Sequence, residues 1–329
     1  MKRWAKRIGL GLLALLILGL VGTSTGHHTL SKREHERVPP PGLLVDIGGY
    51  RLHILCEGVG SPTVVMEAGL GGWSTDWSKV LSPASKVTRV CAYDRAGMGW
   101  SEVSPDPRTL DVTVEELHTL LVKAGIPGPY VLVGHSLGGM HMRAYAHSFP
   151  EDVAGLIQVD ALHEDQAVLD PVFTKANQAN ARQFRPLVLL NATGLMALAP
   201  QSIPNQGLPD EMYPQWQAAL ATGAFFETTI AELLSMEGNC LRVRALEITS
   251  FGDLPLTVLS AGRRDTIATL TAAENKQYRD VWESLQPKLA ALSSAGKQII
   301  VEQSGHMIPL EQPDFVIGAV REMVDTLRK

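Results

Sequence analysis

The chain has 329 residues, 45% of them hydrophobic and 19% charged, with a formal net charge of −5. That length fits one large α/β domain carrying an insertion, or two smaller domains, with ample apolar material for a core. The charge leaves no basic footprint for nucleic acid, and the sequence has no acidic tail, tandem repeat or metal-type Cys/His spacing.

At the front, Lys2, Arg3, Lys6 and Arg7 precede an apolar run from Ile8 to Val21, and no further Asp, Glu, Lys or Arg occurs before Lys32. A basic start and an apolar stretch mark residues 1–26 as an export signal peptide or an uncleaved signal anchor. As a helix the apolar run is about 21 Å long, which is short for a full crossing. Either alternative keeps the basic residues on the cytoplasmic side, so the rest of the chain is expected outside, exported or membrane-anchored. Residues 27–42 are polar and end in Pro39-Pro40-Pro41-Gly42, the composition of a linker.

From residue 43 strand signals arrive in order. Leu43–Ile47 and Arg51–Glu57 flank a Gly48-Gly49 turn and read as a hairpin. Thr63–Glu67 and Arg89–Tyr93 are short β-rich runs separated by a helical stretch near Thr75–Ser85. Thr113-Val-Glu-Glu116 resembles a capping box, followed by Val114, Leu117, Leu120, Leu121 and Ala124 on one helical face and a stop at Gly125. An apolar strand at Tyr130–Val133, a helix from Leu137 to Ser148 and a strand at Val153–Val159 follow.

From residue 161 to 253 the rhythm changes. The stretch is helical in flavour, interrupted by Pro186, Pro200, Pro204, Pro209 and Pro214. Alternation resumes with Leu256–Ala261, a long helix near Ala272–Ser294, the strand Lys297–Gln303 and a last helix from Pro313. Strands alternating with helices imply an α/β protein with a mainly parallel sheet covered on both faces. The expected layout is a core of residues 43–160 and 254–329, interrupted by a helical cap of residues 161–253.

Gly134-His-Ser-Leu-Gly138 is a G-x-S-x-G pattern. Alone it is weak, but here it follows an apolar strand and opens a helix. A tight strand-to-helix turn of this kind needs glycines where helix and strand approach, and it leaves the Ser136 hydroxyl exposed above the sheet. A serine hydroxyl needs a base to act as a nucleophile. Among ten histidines, His306 in Ser304-Gly-His306 is the one placed after a late strand, where loops at the carboxyl edge of a parallel sheet converge. His135 is expected to point away from the site, and His118, His141 and His147 to be surface or packing residues.

A carboxylate should fix the histidine tautomer. Asp265, in Gly262-Arg-Arg-Asp265 after the strand Leu256–Ala261, is the favoured candidate. Asp160, ending the preceding strand, is the alternative. An oxyanion formed at the substrate needs two preorganised donors. The expected pair are the backbone N–H groups of Leu137, next to the nucleophile, and of Leu70 in the loop Glu67-Ala-Gly-Leu-Gly-Gly72.

These residues resemble the α/β-hydrolase superfamily with an inserted cap, the AB hydrolase-1 type, in its serine-nucleophile branch. The resemblance runs from Leu43 to Leu327. It includes Tyr93-Asp-Arg-Ala-Gly-Met-Gly-Trp-Ser101, similar to the family's D-x-x-G-x-G-x-S turn, as well as Phe149-Pro150 and Ile308-Pro-Leu-Glu-Gln-Pro313. It implies an eight-stranded, mostly parallel sheet flanked by helices, with the cap between the sixth and seventh strands and triad order Ser, Asp, His. Asp94 and Arg95 are then expected to brace loops near the site. Many relatives carry His-Gly at the oxyanion loop, whereas this chain has Ala68-Gly69, so any loop support by a histidine is missing. The family's strand order makes the second and fourth strands antiparallel neighbours, so that Cys56 and Cys91 could pair as a disulfide. Three buried thiols, with Cys240, are the alternative.

The resemblance implies hydrolysis of a carboxylic ester, or a thioester or amide, through an acyl-enzyme and without a cofactor. Leu195, Met196, Leu198, Met212, Trp216, Phe225 and Phe226 suggest a small-molecule substrate with an apolar acyl group. The alternatives are a C–C bond hydrolase or aminopeptidase on the same fold, or an inactive membrane-tethered binding module.

Overall fold

The computed structural model describes residues 38–192, 207–220 and 224–329. The signal or anchor expected at 1–26 and most of the linker fall outside these residues, as do Leu195, Met196, Leu198, Pro200 and Pro204. Among the described residues no helix is long and apolar enough to cross a membrane.

Eight strands form one sheet: β1 (Leu43–Asp46), β2 (Arg51–Glu57), β3 (Thr63–Glu67), β4 (Val90–Tyr93), β5 (Tyr130–His135), β6 (Val153–Val159), β7 (Leu256–Ala261) and β8 (Gly296–Val301). Their spatial order is β1-β2-β4-β3-β5-β6-β7-β8. β2 runs antiparallel to β1 and to β4, and all other pairs are parallel. The β1–β2 turn closes because Asp46 Oδ1 accepts the N–H groups of Gly48 and Gly49, both at positive φ.

Helices cover both faces, and the central strands are buried throughout, as parallel strands in such a layered fold must be. Their pleat divides the core in two. Val65 and Leu132 face α2 (Leu110–Lys123), α3 (Leu137–Ser148) and α8 (Ala272–Ala290). Val64, Met66, Val131 and Val133 face α1 (Leu81–Ala84) and α10 (Pro313–Leu327).

Cys56 on β2 lies opposite Cys91 on β4, and the two form a disulfide. Cys240 is a free, buried thiol, its pKa pushed up to about 12 by burial.

Between β6 and β7 the chain forms α4 (Gln166–Leu169), α5 (Pro171–Ala192), α6 (Tyr213–Leu220) and α7 (Ala224–Ala245). Pro186 does not interrupt α5, contrary to the expected break. Pro214 sits in the first turn of α6, where a missing N–H is harmless. The capping box expected at Thr113–Glu116 is also absent. α2 starts three residues earlier behind Thr109, the Thr113 hydroxyl donates back to the Thr109 carbonyl, and Glu116 pairs with Arg108. A capping box occurs instead at Thr271 and Glu274, opening α8.

Candidate active site

Ser136 occupies the junction of β5 and α3 with φ 52° and ψ −118°, a conformation that a non-glycine residue adopts only under constraint. The constraint is visible in the flanking glycines. A Cβ on Gly134 would lie 2.5 Å from the Gly138 carbonyl oxygen, and one on Gly138 would lie 2.6 Å from that of Glu67. Helix and strand therefore meet at backbone distance and push the serine out of the sheet plane.

The loop after β8 brings His306 to this serine. Its Nε2 lies 3.0 Å from Ser136 Oγ, and its Nδ1 lies 2.6 Å from Asp160 Oδ2. A carboxylate only accepts, so Nδ1 carries the proton and Nε2 is left to accept from the Ser136 hydroxyl. Burial drives the Asp160 pKa up, but the hydrogen bond and charge of His306, with Arg279 beyond, outweigh it and leave the pKa lowered. Arg279 Nη1 is 3.9 Å from Asp160 Oδ2, and the other Asp160 oxygen accepts the Ala261 N–H at 3.1 Å.

The expected partnership of Asp265 with the imidazole is corrected by these distances. Asp265 lies four residues beyond the end of β7, with its side chain 44% exposed, and its Oδ2 accepts the backbone N–H of His306 at 2.7 Å. It clamps the histidine loop from outside, and a Cβ on Gly305 would collide with it at 2.3 Å. Asp160 follows β6 without slack, and β6 pairs directly with the strand that carries Ser136.

His135 does not turn away from the site. Its ring lines the same cavity, 4.7 Å from that of His306, and Nε2 donates to the His306 carbonyl at 2.9 Å. Burial, with the His306 charge, lowers its pKa to about 3, so this imidazole stays neutral. His118 stacks on Phe149 and His141 binds Glu67, both in packing roles.

Leu70 and Leu137 both line the cavity beside Ser136. Leu137 is the first residue of α3, so its N–H has no acceptor within the helix. The loop carrying Leu70 is held by Arg95. The Arg95 guanidinium donates to the carbonyls of Ala68 and Gly69, each at 2.7 Å. Glu232, on α7, fixes the other side of that guanidinium at 2.7 Å and accepts the Gly71 N–H at 3.1 Å. Burial opposes both charges, but their mutual attraction prevails, so Arg95 is raised and Glu232 lowered in pKa. Asp94 organises the neighbouring turn, accepting from Ser74, Trp100 and the His53 ring. Sequence reasoning missed Glu232 and Arg279, because neither lies in a motif and each acts from a helix on a loop distant in sequence.

The cavity above Ser136 measures about 350 Å³. Trp216 and Phe225 line it as the sequence suggested, together with Phe173 and Trp282. Phe226 and Met212 pack behind.

Comparison with known proteins adds family membership. The profile of the alpha/beta hydrolase family matches residues 64–319, well over half of the sequence. The chain belongs to the alpha/beta hydrolase family. Among relatives of this alpha/beta hydrolase, YbdG of Bacillus subtilis is 29% identical over 202 residues, 61% of each chain. The match thus spans less than two thirds of that relative's length. A solved thermophilic esterase from Thermogutta terrifontis superposes with a TM-score of 0.59 at 22% identity, covering 87% of this chain and 98% of that one. The epoxide hydrolase CorEH superposes with a TM-score of 0.60 at 16% identity, covering 87% and 98%. At these identities the structural likeness establishes the fold.

Proposed function

We propose that the chain is a serine hydrolase that cleaves a carboxylic ester through an acyl-enzyme. The observation that carries this reading is the unbroken relay from Ser136 Oγ to His306 Nε2 and from His306 Nδ1 to Asp160, at 3.0 and 2.6 Å. Ser136 Oγ attacks the ester carbonyl while its proton passes to His306, and buried Asp160 stabilises the imidazolium. The N–H groups of Leu137 and Leu70 receive the carbonyl oxygen as it becomes an oxyanion. As the intermediate collapses, His306 returns the proton to the leaving alcohol oxygen. Water, deprotonated by the same imidazole, then frees the acid. The helices between β6 and β7 serve as the cap of this site, with Trp216 and Phe225 facing the substrate.

The side chain at position 136 speaks against epoxide opening. That chemistry on this fold resembles a branch with an aspartate nucleophile, and here a serine stands at the elbow. The reading also places the domain outside the cytoplasm, behind a membrane anchor or signal. The Cys56–Cys91 disulfide supports this, since such bonds persist in oxidising compartments.

A fluorophosphonate probe should label the protein stoichiometrically and fail to label Ser136→Ala. Labelling that survives the substitution would overturn the assignment. A panel of simple esters against aminoacyl amides and C–C substrates then separates esterase from the other chemistries of this fold.

A further inference from the structure

The cavity above Ser136 contains a second carboxylate that the relay does not use. Among the described residues two acidic ones line it, Asp76 and Asp265. Asp265 is engaged by the His306 amide. Asp76 comes from the helical turn Ser74–Trp77 behind the oxyanion loop. Among the described residues its carboxylate accepts no hydrogen bond and has no ion-pair partner. Its side chain is partly open to the cavity, and burial, with Asp94 nearby, raises it to a pKa of about 7 against the pull of Arg95.

The charges around it are already matched. Arg95 is held by Glu232 and faces Glu67. Arg279, also at the cavity, stands between Asp160 and Glu283. The remaining titratable rings there, among the described residues, are His306, bonded to Asp160, His135, kept neutral by burial, and Tyr278, whose phenol burial pushes up in pKa.

The backbone is shaped to leave room for the carboxylate. A Cβ on Gly72 would lie 2.1 Å from Asp76 Oδ2, so the adjacent loop position accepts only glycine while Asp76 keeps this pose. Aromatic faces share the space: Trp73 and Phe225 meet edge to face at 5.6 Å, and Trp216 lines the same cavity. A carboxylate and aromatic rings converging on one concave site match the chemistry of an organic cation.

We infer that Asp76 is a specificity-determining residue, seating an ammonium group of the substrate against its carboxylate and the Trp73 and Phe225 rings while the ester carbonyl meets Ser136. The substrate class is therefore a small ester with a cationic nitrogen, in keeping with a cavity of about 350 Å³. The inference deepens the esterase reading, and its test separates the two.

Binding is measured first, on the full chain and without turnover, using choline and its neutral isostere 3,3-dimethylbutan-1-ol in calorimetry. Choline should bind about tenfold more tightly, the scale of a desolvated cation contact, and Asp76→Asn should erase that difference. Equal affinity for the two alcohols, or a preference that persists in Asp76→Asn, would overturn the inference. Kinetics follow with the acetate esters of the same pair. The ratio of their kcat/KM values should favour the cationic ester by about tenfold and fall to near one in Asp76→Asn, with the neutral ester still cleaved. Selective choline binding without cleavage of either ester would instead count against the esterase reading alone. Asp76→Asn removes a charge that no described residue pairs with, and an unchanged melting temperature at pH 7 or above, or a raised one, verifies that the variant is folded.

Discussion

His306 Nδ1 lies 2.6 Å from Oδ2 of Asp160, the residue directly after β6. This pairing fixes the tautomer that lets Nε2 accept the Ser136 proton, so loss of the charge should be felt in turnover. Asp160→Asn is expected to reduce kcat by about 10³–10⁴, the scale of losing the orienting carboxylate in such a relay. Asp265→Asn keeps an acceptor for the His306 amide and should cost less than tenfold. Steady-state kinetics on one reactive ester compares the two variants. A large loss in Asp265→Asn with a small one in Asp160→Asn would reverse the roles of the two aspartates.

Six of the eight strands were legible in the sequence to within one residue at each end, because short β-branched runs between turn residues leave few alternatives for them. The pairing of Ser136 with His306 was legible for a related reason, since both sit next to strands whose ends the pattern fixes. The acid was not. Asp160 and Asp265 each follow a late strand, and both satisfy the chain order Ser, Asp, His. Only the lateral position of β6 beside β5 decides between them, and sequence spacing does not encode that. Arg95 was expected to brace a loop near the site and does, but its partner Glu232 was hidden, because it lies 137 positions away. Pro186 misled because a helix packed along α7 tolerates one missing N–H on its exposed side.

The Glu232–Arg95 pair links α7 to the loop that carries Leu70. Glu232→Ala would leave a buried guanidinium with Glu67, at 3.5 Å, as its one remaining ion-pair partner among the described residues, and should destabilise the fold on the order of 3 kcal/mol. It should also lower kcat, because the Gly71 amide and the Ala68 and Gly69 carbonyls lose their fixed geometry. Replacing both partners, as Arg95→Met with Glu232→Met, should regain most of the stability without regaining kcat. Denaturant unfolding together with ester kinetics measures both. If kcat recovers in the double variant, the pair serves folding alone.

Cys56 and Cys91 are 35 residues apart and join β2 to β4. Closing a loop of that length restricts the unfolded chain by about 3–4 kcal/mol. Cys56→Ala with Cys91→Ala should lose roughly that much in equilibrium unfolding. Thiol titration of the unfolded protein should find one reactive thiol, Cys240, before reduction and three after.

Two buried groups in the cavity bias stability in opposite directions across the same pH range. His135 has its pKa lowered from 6.5 to about 3. On acidification the unfolded chain gains a proton there first, so the stability due to neutral His135 is lost as pH falls from about 6.5 to about 3. Asp76 has its pKa raised from 3.8 to about 7. The folded state holds that proton more tightly, so the stability due to protonated Asp76 is full below about 4 and is lost as pH rises to about 7. The two slopes partly cancel in the wild type, and single variants separate them. Asp76→Asn should gain stability over the wild type progressively between pH 4 and 7, whereas the deficit of His135→Gln should shrink as pH falls through 6.5. Urea unfolding at pH 4, 5.5 and 7.5 reads both differences. A stability gap between Asp76→Asn and wild type that stays constant with pH would mean the Asp76 carboxyl is solvated and finds no unmet charge in the cavity.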